Sequence, residues 1–239
     1  MTAQNTRYSL DSLSKWDRQI CLFAKYFLVH AKLPKFPFSL LDVGCGTGSA
    51  LREIKKMYPS SILYGCDLDE QHLTLSNTMN RVYGTFFKSN IFEIKDSYEI
   101  IYVSNVLEHL HDWKSVVTHL LSHCIRIYAL VPYKELLKGI SLDLPEIDQH
   151  VSCFDDRSFY YFQSDTVRMD QRIIRTPYAW GHPLKREVGL RIKAALNGES
   201  FEVQRELLVA FTNVRKSSPL FGKPFYSRPR ALINMLRIS

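Results

Sequence analysis

The chain has 239 residues, 46% of them hydrophobic and 23% charged, with a formal net charge of +7. That is the size and composition of a globular protein with a sizeable core: one α/β domain with additions, rather than a chain of several domains. No segment approaches the roughly 20 apolar residues of a membrane-spanning helix. The polar start MTAQNTRYSLDSLSKWDR has no apolar stretch suited to a signal peptide. The five cysteines at 21, 45, 66, 124 and 153 are odd in number and form no CxxC pair, which argues against a disulfide framework or zinc knot. Reduced thiols and a cytoplasmic location are therefore expected.

In chain order, Leu13, Trp16, Ile20, Phe23 and Phe27 recur at helical spacing and predict a helix over 12–31, capped by Asp11 or Ser12. KLPKFPF breaks it, and 39–43 reads as the first strand. Ala50, Leu51, Ile54 and Met57 mark a short amphipathic helix. A strand at 61–66, a helix at 69–81 and strands at 85–89 and 98–105 follow. The stripe Trp113, Val116, Val117, Leu120, Leu121 predicts another helix, and 125–133 a fifth strand. Strand alternating with helix implies a parallel sheet with right-handed crossovers. Beyond 133 the rhythm changes. A loop-rich segment to about 167 is followed by a predicted strand (171–176), helix (183–197) and long strand (201–215). Within the loop-rich part, 154–162 holds five aromatics in nine residues, read as a helix packed on the sheet.

The charge is uneven. Residues 1–40 carry six Lys/Arg against two Asp/Glu, residues 41–150 ten against fourteen, and residues 151–239 fifteen against eight. Basic ends fit an anionic partner or simply a solvated surface. The tail from Arg215 has six Lys/Arg and no acid, and its apolar-basic end suits weak contact with a membrane surface.

LLDVGCGTGSAL (40–51) places three glycines in five positions, directly after a strand. Such a turn lets a ligand approach the backbone where a Cβ would clash. The spacing is GxGxG, and Ser49 stands where a dinucleotide fold would have its third glycine. Asp42, two residues before Gly44, would repel a pyrophosphate and suit an ammonium. The pattern points to a ligand with an amino acid and a nucleoside but no phosphates. Asp67, after the second strand, can accept from both ribose hydroxyls.

These residues carry a resemblance. LLDVGCGTGSAL resembles the first motif of the class I S-adenosylmethionine-dependent methyltransferases, YGCDLDE (64–70) the second, and FKSNIFEI (87–94) the third. YEIIYVSNVLEHLHDW (98–113), with its LEH triplet, resembles the fourth, and ALVPY (129–133) the fifth strand. The resemblance covers about 38–133 in order and spacing. It implies a Rossmann-like, mostly parallel seven-stranded sheet with helices on both faces and an inserted substrate-covering region. It further implies S-adenosyl-L-methionine as cofactor, held by Asp42, Gly44, Cys45, Gly46, Thr47, Gly48, Asp67, Leu68, Asn90, Ile91, Ser104 and Asn105. One domain over 1–239 would comprise a helical cap (1–37), the cofactor core (38–133), a substrate-covering region with the last strands (134–215) and a basic tail (216–239).

Methyl transfer is an in-line displacement, and a hydroxyl acceptor gains from a general base. His150 is the first candidate base, with Glu146 or Asp148 to fix its tautomer; His109 and Tyr133 follow. Glu108, His109 and a later His resemble the metal set of related methyltransferases with an ExxEH motif. Asn105 replaces the first Glu of that motif, so no metal is expected. The expected acceptor is a small molecule or glycan precursor, methylated on oxygen. Nucleic acid is disfavoured because no RNA-binding module is recognisable. A nucleic-acid methyltransferase and a non-catalytic donor-binding or scaffold protein are the rival readings. Nothing in the sequence sets an oligomeric state.

Overall fold

The computed structural model describes residues 10–31, 33–134, 149–162, 164–169 and 205–213, together with Ile192 and Leu196. Its elements are α1 (Leu10–His30), β1 (Ser39–Val43), α2 (Ser49–Met57), β2 (Ile62–Asp67), α3 (Glu70–Met79), β3 (Thr85–Lys88), β4 (Tyr98–Ser104), α4 (Trp113–Ser122), β5 (Cys124–Tyr133), β6 (Ser164–Met169) and β7 (Arg205–Thr212). Single 3₁₀ turns lie at Ile91–Glu93 and Leu107–His109. Up to β5 the predicted elements all form, with ends that move by a residue or two. Asp69 caps α3, accepting from the backbone of Gln71 and His72. Helix α1 already includes Asp11 and Ser12. Met57, expected on the apolar stripe of α2, is 48% exposed.

The strands form one sheet in the order β3-β2-β1-β4-β5-β7-β6. Strands β1 to β5 pair in parallel, and β7 is antiparallel to both β5 and β6. One core lies where α1 and α2 cover the sheet: Phe23, Phe27, Leu51 and Ile54 meet Leu40, Tyr102 and Tyr128. Phe27 stacks on Tyr102 with ring centroids 4.4 Å apart. The other core joins α4 to the sheet through Trp113, Val116, Val117 and Leu120.

The second half departs from the sequence reading. Strand β6 falls at 164–169, inside the segment read as loop, and the strand read at 171–176 lies outside the described residues. So do the basic tail (216–239) and the helix read at 183–197, except for its helical Ile192 and Leu196. The aromatic run 154–162 forms successive turns, not a helix. Phe154 and Phe159 are fully buried and stack on each other at 5.3 Å, each meeting Trp113 edge-on. Tyr160 and Tyr161 are exposed. The aromatic spacing is set by contact with α4 and β5, not by a helical period. Among the described residues no helix is long and apolar enough to cross a membrane.

Candidate active site

The sheet order reverses between β1 and β4, which opens a crevice at the carboxyl ends of the strands. The glycine turn lies there, and its three glycines differ in purpose. All have positive φ: 71° at Gly44, 52° at Gly46 and 78° at Gly48. A Cβ on Gly44 would come within 2.5 Å of Val106, and one on Gly48 within 2.5 Å of the Phe86 ring. Those two allow close packing of the turn on β3 and on the chain after β4. Among the described residues a Cβ on Gly46 would meet only Ile20, at 3.8 Å, so these leave room for a ligand to approach the backbone. Gly48 precedes α2 without a side-chain cap, so the first amides of that helix remain available to a ligand.

The turn is tied to β2. Gly44 and Cys45 donate backbone N–H groups to the Cys66 carbonyl at 2.9 and 3.0 Å. Asp67 accepts from Gly46 N at 2.8 Å and from Asp69 N at 2.9 Å, one bond on each carboxylate oxygen. Each oxygen keeps a second lone pair for a ligand hydroxyl. Leu68 beside it is 47% exposed, an apolar surface at the same edge. At the end of β3, Asn90 caps the 3₁₀ turn: its Oδ1 accepts from Phe92 N at 3.0 Å, while its own N–H donates to Glu93. That oxygen also keeps one lone pair, and Ile91 follows directly, partly buried.

Asp42 is 2% exposed. Burial holds its carboxyl well above the usual range, and the nearby Asp67 charge adds to the shift. A cation at this edge would return Asp42 to its ionised form. Burial first, then the charges of Asp42 and Asp67, also push up the thiol of Cys45; burial and Asp42 lift Cys66 to about 12. Both thiols are therefore inert structural groups. Cys45 is buried, so it faces a ligand through its backbone alone. The Thr47 hydroxyl is taken up by Asp17 of α1 at 3.2 Å.

After β4 the chain supplies Ser104, Asn105 and the turn 107–109. Ser104 Oγ donates to Asn105 Oδ1 at 3.3 Å. His109 Nδ1 donates to the Gln149 carbonyl at 3.1 Å. Segment 149–152 is held on this turn by further bonds: Val151 N and Ser152 N to the Glu108 carbonyl at 2.7 and 3.0 Å, and Ser152 Oγ to Leu110 O at 2.8 Å. His150 is thereby placed edge-on to His109, ring centroids 4.7 Å apart. The Glu108 carboxylate is fully buried beside them. One ligand atom from each of Glu108, His109 and His150 lies within 4.8 Å of the others. These donors could hold a divalent cation or work as a hydrogen-bonded acid–base group. Tyr133 is placed differently: its hydroxyl donates to Asp156 at 2.7 Å.

Residues 41–125 match the family profile described as a methyltransferase domain. Over that stretch the chain is similar to a methyltransferase domain, and its fold is shared with solved methyltransferases that bind S-adenosylmethionine or its product. A malonyl-[acyl-carrier protein] O-methyltransferase of Bacillus cereus is 25% identical over 87 residues, 35% of this chain and 32% of that protein. A trans-aconitate 2-methyltransferase of Deinococcus radiodurans is 24% identical over 96 residues, 40% of this chain and 37% of that one. The match thus spans about a third of the length of these curated relatives. Among solved structures, the plantazolicin methyltransferase BpumL in complex with SAH aligns with TM-score 0.51 and 18% identity over 84% of both chains. A Haemonchus contortus phosphoethanolamine N-methyltransferase aligns with TM-score 0.63 and 10% identity, over 87% of this chain and 58% of that one.

Several residues of this candidate site escaped the sequence reading. Asp17 binds Thr47, Ser49 and Arg52, so α1 is latched onto the glycine turn. Asn80 closes the same network by donating to the Thr47 carbonyl at 2.7 Å. Glu108 was read only as part of a metal set with His109 and a later His, and the structure does bring it beside His109 and His150. Glu206 of β7 accepts from Asn105 Nδ2 at 3.5 Å. An acid in an amphipathic helix or a strand reads as surface, and only long-range packing turns it inward. The acids expected beside His150, Glu146 and Asp148, lie outside the described residues.

Proposed function

We propose that the chain transfers a methyl group from S-adenosylmethionine to a hydroxyl of a small molecule or glycan precursor, with His150 as general base. The observation that carries this reading is the layout of the carboxyl edge. In sheet order, Asn90 at β3, Asp67 at β2, the open face of Gly46 after β1, and Asn105 after β4 follow one another. That sequence suits adenine, ribose and sulfur in turn. Asn90 Oδ1 and the Ile91 amide would meet the adenine edge, with Leu68 against its face. Asp67 would take the ribose hydroxyls, and Asp42 would face the ammonium. Cys45, Thr47 and Gly48 would contribute backbone, with Ser104 and Asn105 at the sulfur. A relative whose name specifies O-methylation matches the cofactor half of the chain, which supports an oxygen acceptor.

In the transfer, the acceptor oxygen attacks the methyl carbon. The carbon–sulfur bond breaks, and its electron pair returns to sulfur to leave a neutral thioether. The acceptor proton passes to His150. His109, fixed through Gln149, and the buried Glu108 hold the His150 imidazole in place and stabilise its cation. Tyr133 is the alternative base, with its phenol held by Asp156.

The test is methyl incorporation from isotope-labelled S-adenosylmethionine into a panel of hydroxylated small molecules, nucleotide-linked sugars, amines and RNA. Transfer to an amine nitrogen or to RNA would overturn the acceptor class. Donor binding with no turnover on any class would favour the scaffold reading.

A further inference from the structure

In the described part of the sheet, β7 alone runs opposite to all the other strands, so its first residues lie at the edge where β1, β4 and β5 end. Glu206 pairs in register with Pro132, two residues beyond the Leu130–Leu208 pair, and is fully buried. A carboxylate at zero exposure is costly unless polar or positive groups face it. One such group is the Asn105 amide, whose Nδ2 donates to Glu206 Oε2 at 3.5 Å. Asn105 directly follows β4 and is itself constrained. Its N–H donates to Leu130 O at 2.8 Å, its Oδ1 accepts from Ser104, and its φ is 54°. A non-glycine residue stays in the left-handed region only where its surroundings hold it there, and such residues collect at functional sites.

Tyr102 lies two residues before Ser104, on the same face of β4. Burial pushes its phenol up, and both Asp42 and Glu206 add to that. In strand order β4 lies between β1, which carries Asp42, and β5–β7, which carries Glu206. The end of β4 is therefore flanked by two buried carboxylates, and the layout proposed above puts the sulfur of the donor there.

We infer that Glu206 is a selectivity residue of the donor site: its carboxylate, fixed at the end of β4 through Asn105, favours the cationic methyl donor over the neutral thioether product. This rests on the reading of S-adenosylmethionine as donor. Methyl transfer abolishes the positive charge on sulfur, because the electron pair of the broken carbon–sulfur bond returns to it. A carboxylate near that atom attracts the sulfonium and gains nothing from the thioether, so the spent cofactor leaves more readily. The same attraction stabilises the bound donor more than a transition state in which the charge is already dispersing. Glu206 thus trades some chemical rate for turnover.

Glu206→Gln keeps size and hydrogen bonding and removes the charge. Calorimetry on the full chain with S-adenosylmethionine and with S-adenosylhomocysteine reads the effect. The expected result is about a tenfold loss of donor affinity, of the order one partly screened charge pair supplies, with product affinity nearly unchanged. Product inhibition then becomes stronger. An equal loss for both ligands marks a merely structural role and overturns the inference, as does an unchanged ratio in a folded variant. Should the Gln variant not fold, the wild-type protein decides: S-adenosylmethionine bound no more tightly than S-adenosylhomocysteine overturns it. A wild-type chain that binds neither ligand refutes the donor reading itself.

Discussion

At the scale of single residues, the glycine turn separates structure from function cleanly. Gly44 and Gly48 are needed because a Cβ would strike Val106 or Phe86, whereas among the described residues one on Gly46 would meet only Ile20. Gly46→Arg is expected to abolish donor binding, through the side chain in the space beside the turn and the cost of a positive φ. Asp67→Ala should weaken binding by about 1–3 kcal/mol through lost charge-assisted bonds. Unchanged calorimetric affinity in both variants would remove the turn from the donor site. Asp42 makes a second prediction. Its folded-state pKa is raised, so its stability contribution is fully present below the unfolded value of 3.8 and is lost as pH rises through the folded value. Asp42→Asn should therefore raise the melting temperature of the ligand-free protein at pH 8, by about 2–4 °C for each 1 kcal/mol recovered. The gain should vanish toward pH 4. The same substitution should weaken binding of the cationic donor, and wild-type donor affinity should rise with pH as Asp42 ionises.

At the scale of elements, the 3₁₀ turn 107–109 and the segment 149–152 form one unit held by backbone bonds, which brings His150 beside His109 from 41 positions away. His150→Ala should cut turnover by at least about 10²-fold, the lower bound for losing a general base, with donor affinity nearly unchanged. His109→Ala removes the bond to Gln149 and should lower stability as well as turnover. Near-normal turnover in His150→Ala would move the base to Tyr133 or dispense with it. Exhaustive chelation separates the two chemistries open to Glu108, His109 and His150. The acid–base reading requires full activity after metal removal, and restoration only by an added divalent cation would replace it with a metal reading.

For the molecule as a whole, α1 is bound to the sheet and its glycine turn at two places. Phe27 packs on Tyr102 and Tyr128 in one core, and Asp17 joins Thr47, Ser49 and Arg52 at the glycine turn. The helix preceding the sheet is thus part of the fold and, through Ile20, a wall of the space beside Gly46. Asp17→Ala should lower unfolding free energy by about 1–3 kcal/mol, since it leaves partly buried donors without their charged acceptor. Chemical denaturation checks this, and the donor should restore part of the loss by mass action. A variant as stable as wild type would show that the latch adds nothing to the packing of Phe27.

What the sequence determined by itself was everything governed by local pattern. Alternating apolar runs set the five parallel strands, helical stripes set α1 to α4, and the glycine spacing marked the turn between β1 and α2. Those signals are short-range, because strand pleat, helix period and positive φ are properties of neighbouring residues. Tertiary structure alone decided the rest. The aromatic run 154–162 becomes turns because Trp113 and its own stacked rings satisfy it better than a helix would. Asp17 and Glu206 read as ordinary polar positions on a helix and a strand, yet folding turns one to the glycine turn and the other to Asn105. A buried acid leaves no periodic trace in a sequence. Its role depends on which distant backbone and side-chain groups the sheet order carries to it.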